Sequence, residues 1–195
     1  MGAQANDTTA AIMDGILRFV AAGGFITTAL VAPNAVQVFD KPLMKMLNTL
    51  DKRQQQRELR RVMHYMKLKG LIKYEPRDYE HGISLTRAGK QKLKKRDFDM
   101  MTIPAPEHWD GMWRLVFFDI PENERTKRNS LNLKLKQLGF KQLQISIWIY
   151  PFACRAEIEA TCEVLDIRKY VTYVEIANID NEKSLRQRFR HLIAP

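Results

Sequence analysis

The sequence predicts an α+β protein of two successive units, and three observations predict it. Charge divides along the chain: residues 1–100 hold 18 Lys and Arg against 10 Asp and Glu, and residues 101–195 hold 14 against 12. Apolar spacing in the first half is mainly helical, whereas in the second half strand-like runs alternate with helical ones. Between the halves, Thr102-Ile-Pro-Ala-Pro-Glu107 carries two prolines and no apolar period, the composition of a linker or stiff connection. The expected units are residues 1–100 and 109–180, joined by a linker at 101–108 and followed by a basic segment at 181–195.

In the first half, helical patterning covers Ile12–Val31, Lys41–Leu50, Asp51–Lys69 and Arg87–Arg96. Gly70 follows the third of these, where a left-handed cap residue is wanted. Two short alternating runs come next, Leu71–Tyr74 and Gly82–Thr86, joined by the polar stretch Glu75–His81 with Pro76 and Asp78, and they read as a hairpin. Three helices, a hairpin and a helix opening at Thr86-Arg-Ala-Gly89 make the order of a winged helix-turn-helix.

In the second half, Trp113–Ile120 is a strand with Trp113, Leu115, Phe117 and Asp119 on one face and Arg114, Val116, Phe118 and Ile120 on the other. Both faces are mostly apolar, so both are expected to be covered. Pro121 stops the strand; Glu122 and Glu124 suit the first turn of a helix that runs to Leu138 and ends at Gly139. A strand region from Lys141 to Tyr150 sets Leu143, Ile145, Ile147 and Ile149 on one face. A helix over Arg155–Leu165 and a strand over Tyr170–Ile176 complete a β-α-β-(β)-α-β order, that of a ferredoxin-like domain. Its two helices cover only one face of the sheet, and self-association through the sheet is expected to cover the other.

The formal net charge of +10 favours a polyanionic partner and sits mainly in the first half. Cys154 and Cys162 cannot supply a disulfide framework, and no Cys/His cluster has zinc spacing, so a cytoplasmic protein is expected. No secretion signal is expected at Met1–Ala11, which is polar and lacks a basic opening. The most apolar run, Phe19–Ala32, contains Gly23 and Gly24 and is shorter than the roughly 20 residues of a bilayer span. A buried helix and no membrane partner are expected.

The third helix carries the main candidate site. At about 100° per residue, Arg53, Arg57, Arg60, His64 and Lys67 fall in a stripe about 80° wide. Leu59, Val62, Met63 and Met66 fall on a separate arc, with Gln55 at its edge, and Glu58 is the one acid between Lys52 and Lys69. A solvated helix ordinarily intersperses acids for i,i+4 pairing. Two readings stand: an exposed basic face, or a recognition helix in the major groove of double-stranded DNA. In the second, Arg53, Gln54, Gln55, Gln56 and Arg57 reach base edges and Arg60 and Arg61 reach phosphates. Lys73, Arg77 and His81 sit on or near the wing, within reach of the backbone. The helix after the wing, with Lys90, Lys92, Lys94, Lys95 and Arg96, is cationic all round and reads equally as solvated face or contact surface.

The phrase Met63–Ile72 with Ile83–Gly89 resembles the winged-helix fold, and Trp113–Glu122, Arg125, Arg128, Leu138-Gly-Phe140 and Leu143–Pro151 resemble the central domain of the PaaX-like transcriptional repressors, whose architecture the winged helix ahead of it also matches. Their central domain is similar to the small CRISPR-associated endonuclease that partners the integrase in spacer acquisition. The central-domain likeness covers roughly residues 109–180. The resemblance implies a homodimer that binds operator DNA through the winged helix and acts as a repressor. In that family an aryl-acyl-CoA releases the DNA and a further C-terminal domain follows. Here only the short basic segment Lys183–Ile193 follows, and no residue points to a small-molecule effector.

The likeness to the endonuclease implies a second role. Asp119 matches an Asp that such enzymes place at the end of the first strand, proposed to hold a divalent metal between protomers. There one Asp119 from each protomer would hold Mg²⁺ and activate water for phosphodiester hydrolysis. The alternative is that Asp119 caps the next helix, and one carboxylate per chain is a poor metal site. A regulator is therefore expected to need no cofactor, with a metal-dependent nuclease, or a subunit working beside a CRISPR integrase, as the alternative. A third class is an interaction module whose basic face meets an acidic protein. Trp148 and Tyr150, sharing a face with Gln144 and Ser146, are expected at a dimer interface, the alternative being a stack on a base or ligand.

Overall fold

The structure, a computed structural model, describes residues 2–23, 51–77 and 80–193, with side chains for 9–23, 51–75 and 82–193. Mixed helix and sheet make it an α+β protein, and it divides into two compact units, residues 1–97 and 98–195. No helix among the described residues is long and apolar enough to cross a membrane.

The first unit contains α1 (Gly2–Ala21), α2 (Lys52–Leu68), β1 (Ile72–Arg77), β2 (Glu80–Leu85) and most of α3 (Arg87–Met100). Helix α1 starts ten residues before the expected Ile12 and ends at Ala21 in a turn where Gly23 adopts φ 83°, short of the expected Val31; residues 24–50 lie outside the described residues. The helix expected over Lys41–Leu50 lies outside the described residues. Helix α2 opens on a reciprocal cap: the Asp51 carboxylate accepts from the Gln54 N–H, and the Gln54 side-chain oxygen accepts from the Asp51 N–H. This satisfies two donors that the first turn would otherwise leave bare. It ends where Gly70 adopts φ 62°, the left-handed conformation that favours glycine.

Strands β1 and β2 pair antiparallel from Ile72 opposite Leu85 to Arg77 opposite Glu80, so the hairpin extends through most of the stretch expected to be its connection. Among the described residues the ribbon has two strands, and Pro76 is tolerated in such a ribbon because each strand has an outer edge. Among the described residues one cluster holds the unit together: Ile12, Ile16 and Leu17 of α1, Leu59, Val62, Met63 and Met66 of α2, and Ile72, Ile83, Leu85 and Leu93 behind them.

Helix α3 is locked to the end of α2. The Thr86 hydroxyl donates to the Gly70 carbonyl and accepts from the Gly89 N–H, while the Thr86 N–H donates to the Leu71 carbonyl. A Cβ at position 89 would lie 2.0 Å from the Leu71 carbonyl oxygen, a backbone atom that cannot move aside alone. Gly89→Ala is therefore expected to destabilise the first unit by about 1–3 kcal/mol through overpacking. Thermal denaturation of the variant checks this; an unchanged melting temperature would mean that the helix shifts freely.

The second unit orders as β3 (Trp113–Phe118), a 3₁₀ turn (Glu122–Glu124), α4 (Arg125–Gln137), β4 (Lys141–Gln144), β5 (Ile147–Tyr150), α5 (Arg155–Leu165), β6 (Val171–Ile176) and α6 (Glu182–Arg188). Its four strands form one antiparallel sheet in the order β4-β5-β3-β6. The run Lys141–Tyr150 is thus two strands, with Ile145 in the turn and 85% exposed. The register shifts between Gln142 and Gln144, which breaks the alternation that the sequence suggests.

Val116, Phe118 and Trp148 on one face of the sheet are buried in a cluster with Leu131 and Leu135 of α4 and Ile158 and Cys162 of α5. Tyr150 stacks on Phe140 with ring centroids 5.0 Å apart. Trp148 and Tyr150, expected at a dimer interface, therefore belong to the interior of the unit; both are at most 4% exposed. Leu185, Phe189 and Ile193 are buried in the same cluster, so the C-terminal segment is part of this core rather than an appended basic tail. Met101 and Ile103, from the proline-bearing segment, also pack against it.

Two cations are buried in this unit. Arg114 donates to the carbonyls of Met112 and Pro151 and pairs with Asp110, whose carboxyl is held below the usual carboxylate range chiefly by that hydrogen bond. Lys134 donates to the Phe98 carbonyl and sits over the Phe98 ring, and burial lowers its ammonium from the ordinary lysine value.

Candidate nucleic-acid interface

Helix α2 separates its two faces as its spacing requires. Leu59, Val62, Met63 and Met66 are buried, whereas Arg53, Arg57, Arg60, His64 and Lys67 are all exposed. From Arg53 to Lys67 the cationic stripe runs about 21 Å along the helix at 1.5 Å per residue. Among the described residues, Arg53, Arg57, Arg60 and His64 meet no carboxylate. The second unit contrasts with this: Arg114, Arg125, Lys127, Arg128, Arg155, Arg168 and Arg186 each lie within 4.0 Å of an Asp or Glu oxygen.

Several expected contact residues are committed to the fold. Gln55 lies on the oily arc and is only 9% exposed, so it is turned away from any ligand of the stripe. Gln54 is exposed, but its side-chain oxygen is the reciprocal partner of the Asp51 cap. Gln56 is half-buried. Arg61 is directed sideways: its guanidinium bonds Glu58 at 2.7 Å and the Thr9 hydroxyl at 2.6 Å, tying α2 to α1. Lys67 lies 4.8 Å from the Tyr74 ring centroid, which joins the end of the stripe to the hairpin. Lys73 is exposed and paired with Glu75. Arg77 and His81 take their places in the strand register opposite Glu80 and Pro76; the expectation for their side chains lies outside the described residues.

Asp119 follows β3 and is exposed. Its N–H donates to the Tyr170 carbonyl at 3.0 Å. It does not cap the following turn, whose N-cap position is Pro121, so the capping alternative fails. The groove beside it is lined by Phe117, Ser146, Ile147, Lys169 and Tyr170. A single carboxylate facing an ammonium and hydroxyls is not a hard-cation donor set, which wants several carboxylate or carbonyl oxygens. Among the described residues no three His, Cys, Asp or Glu cluster to hold a metal. The residues of one chain therefore do not fit Mg²⁺.

The same groove opens onto an apolar surface. Strand registry places Leu115 opposite Ile149 and Val174, and Phe117 opposite Ile147 and Thr172, all on one face. At one end of that face Trp113 is fully buried against Trp109 and Phe189. At the other end Phe117 is 37% exposed, with Leu115 and Ile147 half-buried.

Sequence reasoning missed Lys169, Tyr170 and Ser146 beside Asp119, because they come from a 3₁₀ turn and a hairpin turn some 27 to 51 positions away with no shared period. It also missed the cap role of Gln54, for which a signal existed: Asp51 followed three residues later by Gln.

Compared with known protein families, residues 106–191 match the family model described as PaaX protein central Cas2-like domain. No curated protein matches the chain.

Proposed function

We propose, from the match of residues 106–191 to the model of PaaX central Cas2-like domains, that the chain is a dimeric, sequence-specific regulator that binds double-stranded DNA, a repressor of the PaaX-like type. The first unit acts as a winged helix-turn-helix. Helix α2 enters the major groove, with Arg53 and Arg57 at base edges and Arg60 on phosphate, and the β1–β2 hairpin is the wing. The second unit is a ferredoxin-like domain, and its half-open apolar face at Leu115, Phe117 and Ile147 is where two copies meet.

The observation that carries the reading is the stripe on α2, exposed and without carboxylate partners among the described residues, on a helix whose opposite face is anchored in a core. Arg and Gln near a helix N-terminus suit base edges, and cations further along suit the backbone. A two-fold dimer then requires a roughly palindromic operator with half-sites on one face of the duplex.

The test is fluorescence anisotropy of a labelled duplex from immediately upstream of the gene, in Mg²⁺ at physiological salt with excess random duplex, followed for an hour. A stable signal that survives the competitor is expected, from wild type and from Asp119→Ala alike. A signal abolished by the competitor would overturn sequence specificity. One that decays in Mg²⁺ but holds in chelator, and stops decaying in Asp119→Ala, would replace the regulator with a nuclease.

A further inference from the structure

The cations of the first unit do not end with α2. Helix α3 carries Arg87, Lys90, Lys92, Lys94, Lys95 and Arg96 with no acid before Asp97. All but Arg96 are exposed, and among the described residues only Arg96 meets a carboxylate, Asp14 at 2.8 Å. Like charges one turn apart, Lys90 with Lys94 and Lys92 with Arg96, repel and weaken a helix. The helix offsets little of this by burial, since Gly89 and Leu93 are its buried residues. An ordinary solvated face mixes signs, as the surface of the second unit does.

The cations are also not spread evenly. At about 100° per residue, Arg87, Lys90 and Lys94 fall within an arc of about 60°, while Lys92 lies far round the helix. The position of that arc is fixed by the Thr86 and Gly89 contacts to Gly70 and Leu71, which set the first turn of α3 against the residues that follow the C-terminal end of α2. Lys90 and Lys94 line a cleft together with Ser84, Leu85 and one acid, Glu75, so the cationic side of α3 adjoins the hairpin.

We propose that Arg87, Lys90 and Lys94 form a second polyanion-binding track, which holds the phosphate backbone of double-stranded DNA beside the wing while α2 occupies the groove. The inference rests on the reading of α2 given above and adds a site of a different kind. A backbone track contributes affinity and salt dependence alike on every sequence, and contributes nothing to discrimination.

The test uses the full chain with Arg87→Gln, Lys90→Gln and Lys94→Gln combined, against a Lys92→Gln, Lys95→Gln reference. Binding to the operator duplex and to a random duplex of equal length is titrated across salt concentrations. The triple variant is expected to bind both duplexes more weakly by the same factor. Its slope of log affinity against log salt should be shallower by about 2 to 3, at about 0.9 for each phosphate no longer neutralised. The ratio of specific to random binding should not move, and the reference pair should lose less slope per charge. Without DNA the triple variant should melt no lower than wild type, because neutral side chains relieve the repulsion along α3; weaker binding then cannot be read as loss of fold. Unchanged affinity and slope would overturn the track, as would a loss confined to the operator, which belongs to base contacts. A wild-type chain that binds neither duplex would overturn the reading of α2, and the track with it.

Discussion

Replacing Arg57 and Arg60 together by alanine is expected to weaken binding to duplex DNA by about 10- to 100-fold and to flatten its salt dependence by about one in slope, for the phosphate that Arg60 no longer neutralises. Both side chains are exposed, and among the described residues neither holds any part of the fold, so melting should be unchanged or slightly raised by the helix-favouring alanines. Arg61 is the instructive comparison, being one residue from Arg60 and chemically identical. Its guanidinium bridges Glu58 and Thr9, so Arg61→Ala should cost stability of the α1–α2 contact more than affinity. Isothermal titration at several salt concentrations, beside thermal denaturation, checks both. A double variant that binds with unchanged affinity and slope would remove α2 from the interface.

The second large effect is expected from Phe117→Asp. Phe117 stands at the open end of the apolar sheet face, 37% exposed, while its neighbour Val116 is completely buried. A carboxylate at 117 can remain hydrated in an isolated chain but not between two packed sheets. The variant should stay folded and sediment as a monomer. Affinity for a duplex with two half-sites should fall by about 100-fold or more, since the second half-site is no longer bound intramolecularly. Affinity for a single half-site should be unchanged. A variant that still sediments as a dimer would move self-association to another surface. Val116→Asp, by contrast, should unfold the second unit.

What could be read from the sequence was local. The two faces of α2 follow from period 3.6 alone, and Gly70 and Thr86 mark the ends of their elements because their chemistry is specific to caps. The pattern misled where alternation ran on without punctuation. Leu143, Ile145, Ile147 and Ile149 keep strict period 2, yet the chain turns at Ile145-Ser146. No Gly, Pro, Asn or Asp marks that turn, and the register shift that permits it arises from pairing with β5.

Tertiary placement was out of reach for the same reason. Lys134 looks like any helical lysine until the Phe98 carbonyl and ring, 36 positions away, close over it. Of the candidate contact residues, Arg53, Arg57 and Arg60 are exposed on the stripe. Gln55 and Arg61 are committed to the fold, because a helix of this length has too few positions to serve a core, a cap and a ligand without sharing.

The stitching of Thr86 to Gly70 and Leu71 has a consequence for how this architecture can vary. Both feet of the β1–β2 hairpin are fastened at one point, by backbone and hydroxyl contacts that do not involve the strands above them. Residues can therefore be gained or lost in pairs at the distal end without dragging either helix out of position. The hairpin can thus be lengthened or trimmed while the helices that flank it keep their spacing, so its length is set independently of the core beneath it.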